Sequence, residues 1–274
     1  MQPPLDPIRV RSYGKTGPWV VVLHGGPGAP GEMAPVARRL GQRFRVLEPL
    51  QRTRGDVPLT VARHVADLAE VLREPVQEGP VRVVGFSWGA MLALAYAARR
   101  PGDVDRLVLV GCGTFDRHSR EVFERRMAER TSPDQRRRIE RLEARLAVET
   151  DRERRNALFA QLGAVYARVQ ACEPLATDSE ETRSCDEAGF RQTWDDALSL
   201  QARGVQPAEF ARIRAPVVMI HGDEDPHPGP LIHESLARLI PHIEYRELPR
   251  CGHKPWIERQ ASDAFYELLS GCLG

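Results

Sequence analysis

The sequence predicts an α/β fold, with a mostly parallel central sheet, helices on both faces and an inserted helical cap. Three observations predict it. Strand-like and helix-like segments alternate through the first 110 residues and again after residue 215. Several of the strand segments are unbroken apolar runs, as expected for strands covered on both faces. A serine between two glycines, Gly85-Phe86-Ser87-Trp88-Gly89, separates one such run from a helix-forming stretch.

The elements follow in order. Ile8 to Tyr13 alternates at period two and predicts an edge strand. Trp19 to Leu23 is a continuous apolar strand, ended by His24-Gly25-Gly26-Pro27-Gly28. Met33 to Leu40 predicts a short helix, Phe44 to Leu47 a strand, and Leu59 to Glu74 a helix with apolar residues near period 3.6. Val81 to Val84 leads into the serine turn, and Ala90 to Ala98 is the helix behind it. Arg106 to Val110 is the next strand. Strands resume at Pro216 to Ile220, followed by a helix over Leu231 to Ile240, a strand over Ile243 to Leu248 and a helix over Pro255 to Leu269.

Between these blocks the composition changes. Residues 117–155 hold 13 arginines and nine acidic residues at helical spacing, with no strand-like run, and Pro133 is placed to start one of the helices. Residues 173–196 reverse the balance, with eight acidic residues against Arg183 and Arg191. The expected organisation is a core at 1–113, a helical cap at 114–207 and a second core segment at 208–274. An insertion between two parallel strands lies over their carboxyl ends, where open α/β sheets bind ligands.

Bulk composition narrows the function classes. With 39 basic and 38 acidic residues the net charge is +1, so no overall field draws the chain to nucleic acid or an anionic membrane. No apolar run has membrane-spanning length, and the proline-rich stretch Met1 to Pro7 is not expected to act as a signal segment. The five cysteines, Cys112, Cys172, Cys185, Cys251 and Cys272, form no dense pattern and are expected as free thiols in a reducing, cytoplasmic setting, although Cys172 and Cys185 could pair. No metal-ligand spacing is present, and no metal or cofactor is expected.

The chemistry centres on Ser87. The flanking Gly85 and Gly89 allow a turn too tight for a Cβ on either side, which exposes the hydroxyl at the head of a helix. The plainer alternative is a serine that caps that helix. A serine hydroxyl needs a base, and the base a carboxylate that orients it. On a strand-turn-helix serine the order along the chain is nucleophile, acid, histidine. His253 follows the strand ending at Leu248 and is the expected base. Asp225, three residues past Gly222, is the expected acid, with Asp223 as runner-up or as a ligand of loop amides. His227 is a weaker competitor beside the acid, His221 is expected to be structural, and His64, His233 and His242 are expected at the surface. The developing oxyanion would meet the amides of Gly26 and Trp88.

Together His24 to Gly28, Gly85 to Gly89, and Gly252-His253 with Pro255 and Glu258 resemble an α/β-hydrolase, and within it the proline iminopeptidase branch of serine peptidases. The resemblance covers residues 8–112 and 214–272. It implies the α/β-hydrolase fold and hydrolysis of an ester or amide on a small molecule or short peptide. It also implies that cap carboxylates bind the substrate's amino group, with Glu173, Glu180, Glu181 and Glu187 as candidates. The segment from Pro49 to Gly55 departs from the branch's usual Asp-Gln-Arg-Gly turn. The main expectation is an aminopeptidase that removes N-terminal proline from short peptides; the alternative is an esterase or lactonase on small apolar acyl groups, and the remote alternative a non-catalytic ligand receptor.

Overall fold

The computed structural model describes residues 7–176 and 185–274. Seven strands form one sheet: β1 (Val10–Tyr13), β2 (Trp19–Leu23), β3 (Arg45–Pro49), β4 (Val81–Phe86), β5 (Val104–Val110), β6 (Val217–Gly222) and β7 (Ile243–Leu248). Their order is β1-β3-β2-β4-β5-β6-β7, with β1 antiparallel and every other pair parallel. The chain builds outward from β2 to β3 on one side, then returns to place β4 on the other. The switch point of this open sheet therefore falls between β2 and β4, and their carboxyl ends flank the crevice that such folds use for ligands. The two most distinctive motifs, His24 to Gly28 and Gly85 to Gly89, are at those two ends.

The apolar strands are covered on both faces. Val21, Leu23, Val83, Leu107 and Met219 pack with helices α2 (Val61–Val71) and α3 (Trp88–Arg99). Val20, Val22, Val84, Val108 and Ile220 face the opposite layer, with α1 (Ala34–Leu40) and α9 (Ser262–Leu273). Each such side chain contributes roughly 1.5–3 kcal/mol relative to exposure, so the period-two alternation fixes which way each strand faces. Helix α3 is buried from Trp88 to Ala98, which explains why it is apolar all round.

Among the described residues, four α-helices stand between β5 and β6 in the chain: α4 (Arg117–Arg130), α5 (Pro133–Val148), α6 (Arg152–Val169) and α7 (Glu187–Ala202). Pro133 does open α5, behind a capping box of Ser132 and Gln135. Leu142 and Leu146 of α5 pack on Leu158, Leu162 and Val165 of α6 in a small core of their own. Helix α8 (Gly229–Ala237) then separates β6 from β7. No helix among the described residues is long and apolar enough to cross a membrane.

One expected helix is shorter than its pattern. Residues 255–257 form a 3-10 turn and α9 begins only at Ser262. The reason is Glu258, fully buried, whose two oxygens accept the amides of Cys172 at 2.9 Å and Glu173 at 2.7 Å. Its backbone pairs with Pro174 in a β-bridge. These bonds hold the segment extended before the helix starts.

Candidate active site

Ser87 adopts φ 52 and ψ −117, a left-handed conformation rare for a residue with a side chain. Its hydroxyl makes no capping bond to α3, so the plainer role of helix cap is not the one it plays. The glycines on either side are required by contact. A Cβ at Gly85 would lie 2.3 Å from the Gly89 carbonyl, and one at Gly89 would lie 2.3 Å from the Leu23 carbonyl of β2. The turn is thus pressed between its own helix and the neighbouring strand.

The loop after β2 is held by a buried polar network. The Gln51 amide donates to His24 Nε2 at 3.0 Å, which puts the imidazole proton on Nδ1, where it meets the Gly25 carbonyl at 2.9 Å. Burial pushes His24 below its ordinary pKa, in keeping with this neutral tautomer. The Gln51 side chain donates to the His24 carbonyl at 2.9 Å and accepts Trp88 Nε1 at 2.8 Å. Gln51 therefore ties the glycine loop to the serine turn, a role its sequence position does not reveal. Gly26, with φ 114, lies in that loop, and the Trp88 amide opens α3.

Asp225 and His253 come from the carboxyl ends of β6 and β7. The loop between them is pinned: Asp223 Oδ1 accepts the Cys251 amide at 3.1 Å and Glu224 N donates to the Cys251 carbonyl at 2.9 Å. Asp223 thus binds a loop amide. Asp225, buried, places Oδ2 2.7 Å from His253 Nδ1. With that nitrogen donating to the carboxylate, His253 Nε2 is left as the free nitrogen. The ring packs 4.8 Å from the ring of Phe86, the residue before Ser87. Gly111 lies beneath it, where a Cβ would be 3.0 Å from Nδ1. Ser87 N in turn donates to Val110 O at 2.8 Å, which joins the serine turn to the end of β5 on which the imidazole rests.

Asp225 serves three histidines. Oδ2 also meets His221 Nε2 at 3.2 Å, and Oδ1 accepts both the His227 amide and His227 Nδ1 at 2.9 Å. Burial alone would raise this carboxyl, but the charges of His253, His227 and His221 outweigh it and hold it well below the usual carboxylate range. Asp225, His227 and His253 have ligand atoms within 4.8 Å of one another, the spacing of a metal cluster. Their geometry suits a hydrogen-bonded couple better. The two rings are stacked, 22° from parallel, and both Nδ1 atoms already hold the carboxylate, whereas a cation needs converging lone pairs.

The acidic cap residues divide. Glu187 is buried and bonded to Arg155 at 2.9 Å and to Arg191. Burial raises its carboxyl, and the two arginines more than reverse this. It is thus occupied by α6 and its own helix rather than free for an amine. Glu173 is exposed beside the His253 loop, and Glu180 and Glu181 lie outside the described residues. The expectation for His64 is corrected: it is buried, with Nε2 3.0 Å from Thr193 Oγ1 of α7 and its ring edge-on to Trp88. The residue type suggested a surface position, but His64 lies on the same side of α2 as Val61, Val65 and Leu68, and α7 covers it there. His242 is exposed. All five cysteines are free thiols.

A family model described as alpha/beta hydrolase fold matches residues 18–260. The chain belongs to this family. A pimeloyl-[acyl-carrier protein] methyl ester esterase of Chromobacterium violaceum is 28% identical over 247 residues, spanning 89% of this chain and 90% of that protein. A probable proline iminopeptidase of Streptomyces coelicolor is 36% identical over 107 residues, but spans 34% of this chain and 32% of that one. Among solved structures, the enol-lactonase from Burkholderia xenovorans LB400 superposes with a TM-score of 0.64 at 20% identity, over 98% of this chain and 99% of that one. The resemblance to α/β-hydrolases thus extends to the whole fold, and the match to the iminopeptidase covers about a third of the chain.

Proposed function

We propose that this α/β-hydrolase is a serine esterase or lactonase that works through an acyl-enzyme on small apolar acyl substrates. Ser87 is the nucleophile, His253 the base through Nε2, and Asp225 the residue that orients and stabilises the imidazolium. Ser87 attacks the ester carbonyl while His253 takes its proton, and the oxyanion forms against the amides of Gly26 and Trp88. Collapse expels the alcohol, protonated by His253. Water, deprotonated by the same imidazole, then attacks the acyl-serine and releases the acid. Helices α4 to α7 act as the cap, reaching the site through Phe123, Gln170 and Cys185.

The observation that carries this reading is the buried Asp225–His253 pair seated on the turn of a strained, uncapped serine. The full-length likeness to a methyl ester esterase supports an ester over a peptide substrate. The engagement of Glu187 by Arg155 and Arg191 removes one of the carboxylates an aminopeptidase would need. The test has two arms. An aryl phosphonate should label wild-type protein at Ser87 and leave Ser87→Ala unlabelled; an unlabelled wild type would point to a ligand receptor. Short p-nitrophenyl esters should turn over at least tenfold faster than prolyl arylamide, and the reverse order would restore the aminopeptidase.

A further inference from the structure

Four aromatic rings stand in a column at the site. Phe123 of α4 stacks on His227 at 4.2 Å and 23°, His227 stacks on His253 at 4.4 Å and 22°, and His253 packs on Phe86 at 4.8 Å. The two imidazoles share one carboxylate: His253 Nδ1 meets Oδ2 of Asp225 and His227 Nδ1 meets Oδ1. His227 is itself immobilised. Its amide donates to Asp225 Oδ1 at 2.9 Å and its carbonyl meets His221 Nε2 at 3.0 Å. Stacking against His253 alone calls only for bulk, which an apolar side chain would supply. An imidazole adds a further side-chain donor to the carboxylate that serves the base.

We propose that His227 is a positioning residue for His253: it takes up Oδ1 of Asp225 so that Oδ2 alone faces the base, and its ring carries the pressure of the cap through Phe123 onto the base's face. This deepens the serine hydrolase reading and rests on it. Two effects follow. The His253 ring is clamped between His227 and Phe86 and cannot tilt away from its carboxylate. The negative charge of Asp225, which His221 Nε2 also meets at Oδ2, is shared with the His227 ring as well, so less of it is available to stabilise the imidazolium of His253. His227 is poorly suited to be the base. Burial pushes it down to about 4, despite the raising effect of Asp225.

The charged and titratable groups around the pair are known. His221, Asp223 and Glu224 come from the end of β6 and the loop after it, and Tyr245 and Glu247 from β7. Arg126, Glu129 and Arg130 of α4 line a cleft of about 210 Å³ behind Asp225. None of these residues is replaced in the two variants, so the comparison between them reports on the side chain at 227.

Two variants separate its two parts. His227→Leu keeps bulk between Phe123 and His253 but loses the side-chain donor; the backbone amide still satisfies Oδ1. His227→Asn keeps a nitrogen donor on the same atom position but loses the ring. Purified full-length proteins are assayed on p-nitrophenyl butyrate across pH, and the titration of the His253 ring proton is followed by NMR, assigned with His253→Ala. In His227→Leu the acid limb of the rate profile and the NMR midpoint should both move up by about one pH unit. In His227→Asn both midpoints should stay at the wild-type value. In that variant kcat should fall by up to about 10²-fold, with KM nearly constant, because the unclamped base is misplaced. Unchanged midpoints in His227→Leu would overturn the proposal, as would equal shifts in both variants. Activity retained in His253→Ala and lost at 227 would make His227 the base and equally overturn it. If wild-type protein is not labelled at Ser87, the hydrolase reading fails by itself, while the NMR midpoints still decide whether His227 tunes His253.

Discussion

Lys254 Nζ lies 2.6 Å from Glu32 Oε2, and the other oxygen of Glu32 accepts the Gly25 amide at 2.7 Å. The residue after His253 is thereby linked to the glycine loop that follows β2. Lys254 is one of only two lysines in a chain otherwise basic through arginine, the other being Lys15. The pair is partly buried, with side chains 28% and 8% exposed, so it is screened less than a surface ion pair. Glu32→Ala frees the Gly25 amide and removes the ion pair; Lys254→Met removes only the ion pair. Ester-hydrolysis kcat should therefore fall further in Glu32→Ala than in Lys254→Met. Equal rates in both variants and wild type would show that the loop holds its shape without this bridge.

Ser87→Ala should reduce ester turnover by at least about 10³-fold, as for other nucleophile knockouts, with little change in thermal stability. Steady-state kinetics beside a melting curve checks both parts.

Gly111→Ala tests the seat of His253, the proposed base. Gly111 has φ 53, and an added Cβ would lie 3.0 Å from His253 Nδ1 and 3.1 Å from Cε1. The ring must shift by a few tenths of an ångström, and the backbone strain adds about 1 kcal/mol or more. The expected result is a kcat lowered by on the order of 10²-fold in a folded protein. Wild-type kcat would mean that His253 tolerates displacement from this floor.

Glu258→Gln keeps the shape of a buried side chain but replaces one accepting oxygen by a donor facing a backbone amide. Two bonds to a charged group are weakened and one amide is left unpaired, a loss of about 2–4 kcal/mol. At about 2–4 °C per kcal/mol for a chain of this size, calorimetry should show Tm lower by about 5–15 °C. A shift under about 2 °C would mean that Glu258 is dispensable to the bridge between residues 172–174 and the His253 loop.

Buried neutral histidines make stability depend on pH. Burial pushes His64 and His227 to about 4, and lowers His24 and His221 as well. Each sits below the unfolded value near 6.5. The unfolded chain therefore takes up these protons first as pH falls. The stability they confer is complete above about pH 6.5 and is lost progressively towards pH 4, with a slope of about 1.4 kcal/mol per pH unit for each group. Asp225 acts lower: its depressed carboxyl confers stability above about pH 3.9 that is lost as pH falls further. Urea unfolding from pH 7 to 4.5 should show the steep decline. His64→Gln, which keeps a donor for Thr193, should flatten it by about one group's slope; an unchanged slope would exclude His64 from the effect.

Local chemistry made most of the fold legible. Runs such as Trp19 to Leu23 have few alternatives to a strand covered on both faces, and Gly85 to Gly89 admits few turns other than the one observed, because its constraints are steric and act within five residues. The placement of Asp225 and His253 on the rim of Ser87 was legible too, since each follows a strand whose carboxyl end lies there; their contact at 2.7 Å belongs to the tertiary structure. What no local pattern carries is partnership across the chain. Gln51 joins His24 to Trp88, Glu258 bonds the backbone 86 and 85 residues before it, and His64 finds its partner in Thr193 of α7. His227 is the clearest case: in sequence it is a histidine near an aspartate, and its meaning depends on Phe123 and His253 arriving on its two faces. The order of residues determined the strands, the turn and the order of the site. Only the packing of distant segments, where burial and hydrogen-bond satisfaction are settled together, decided which side chains support that site.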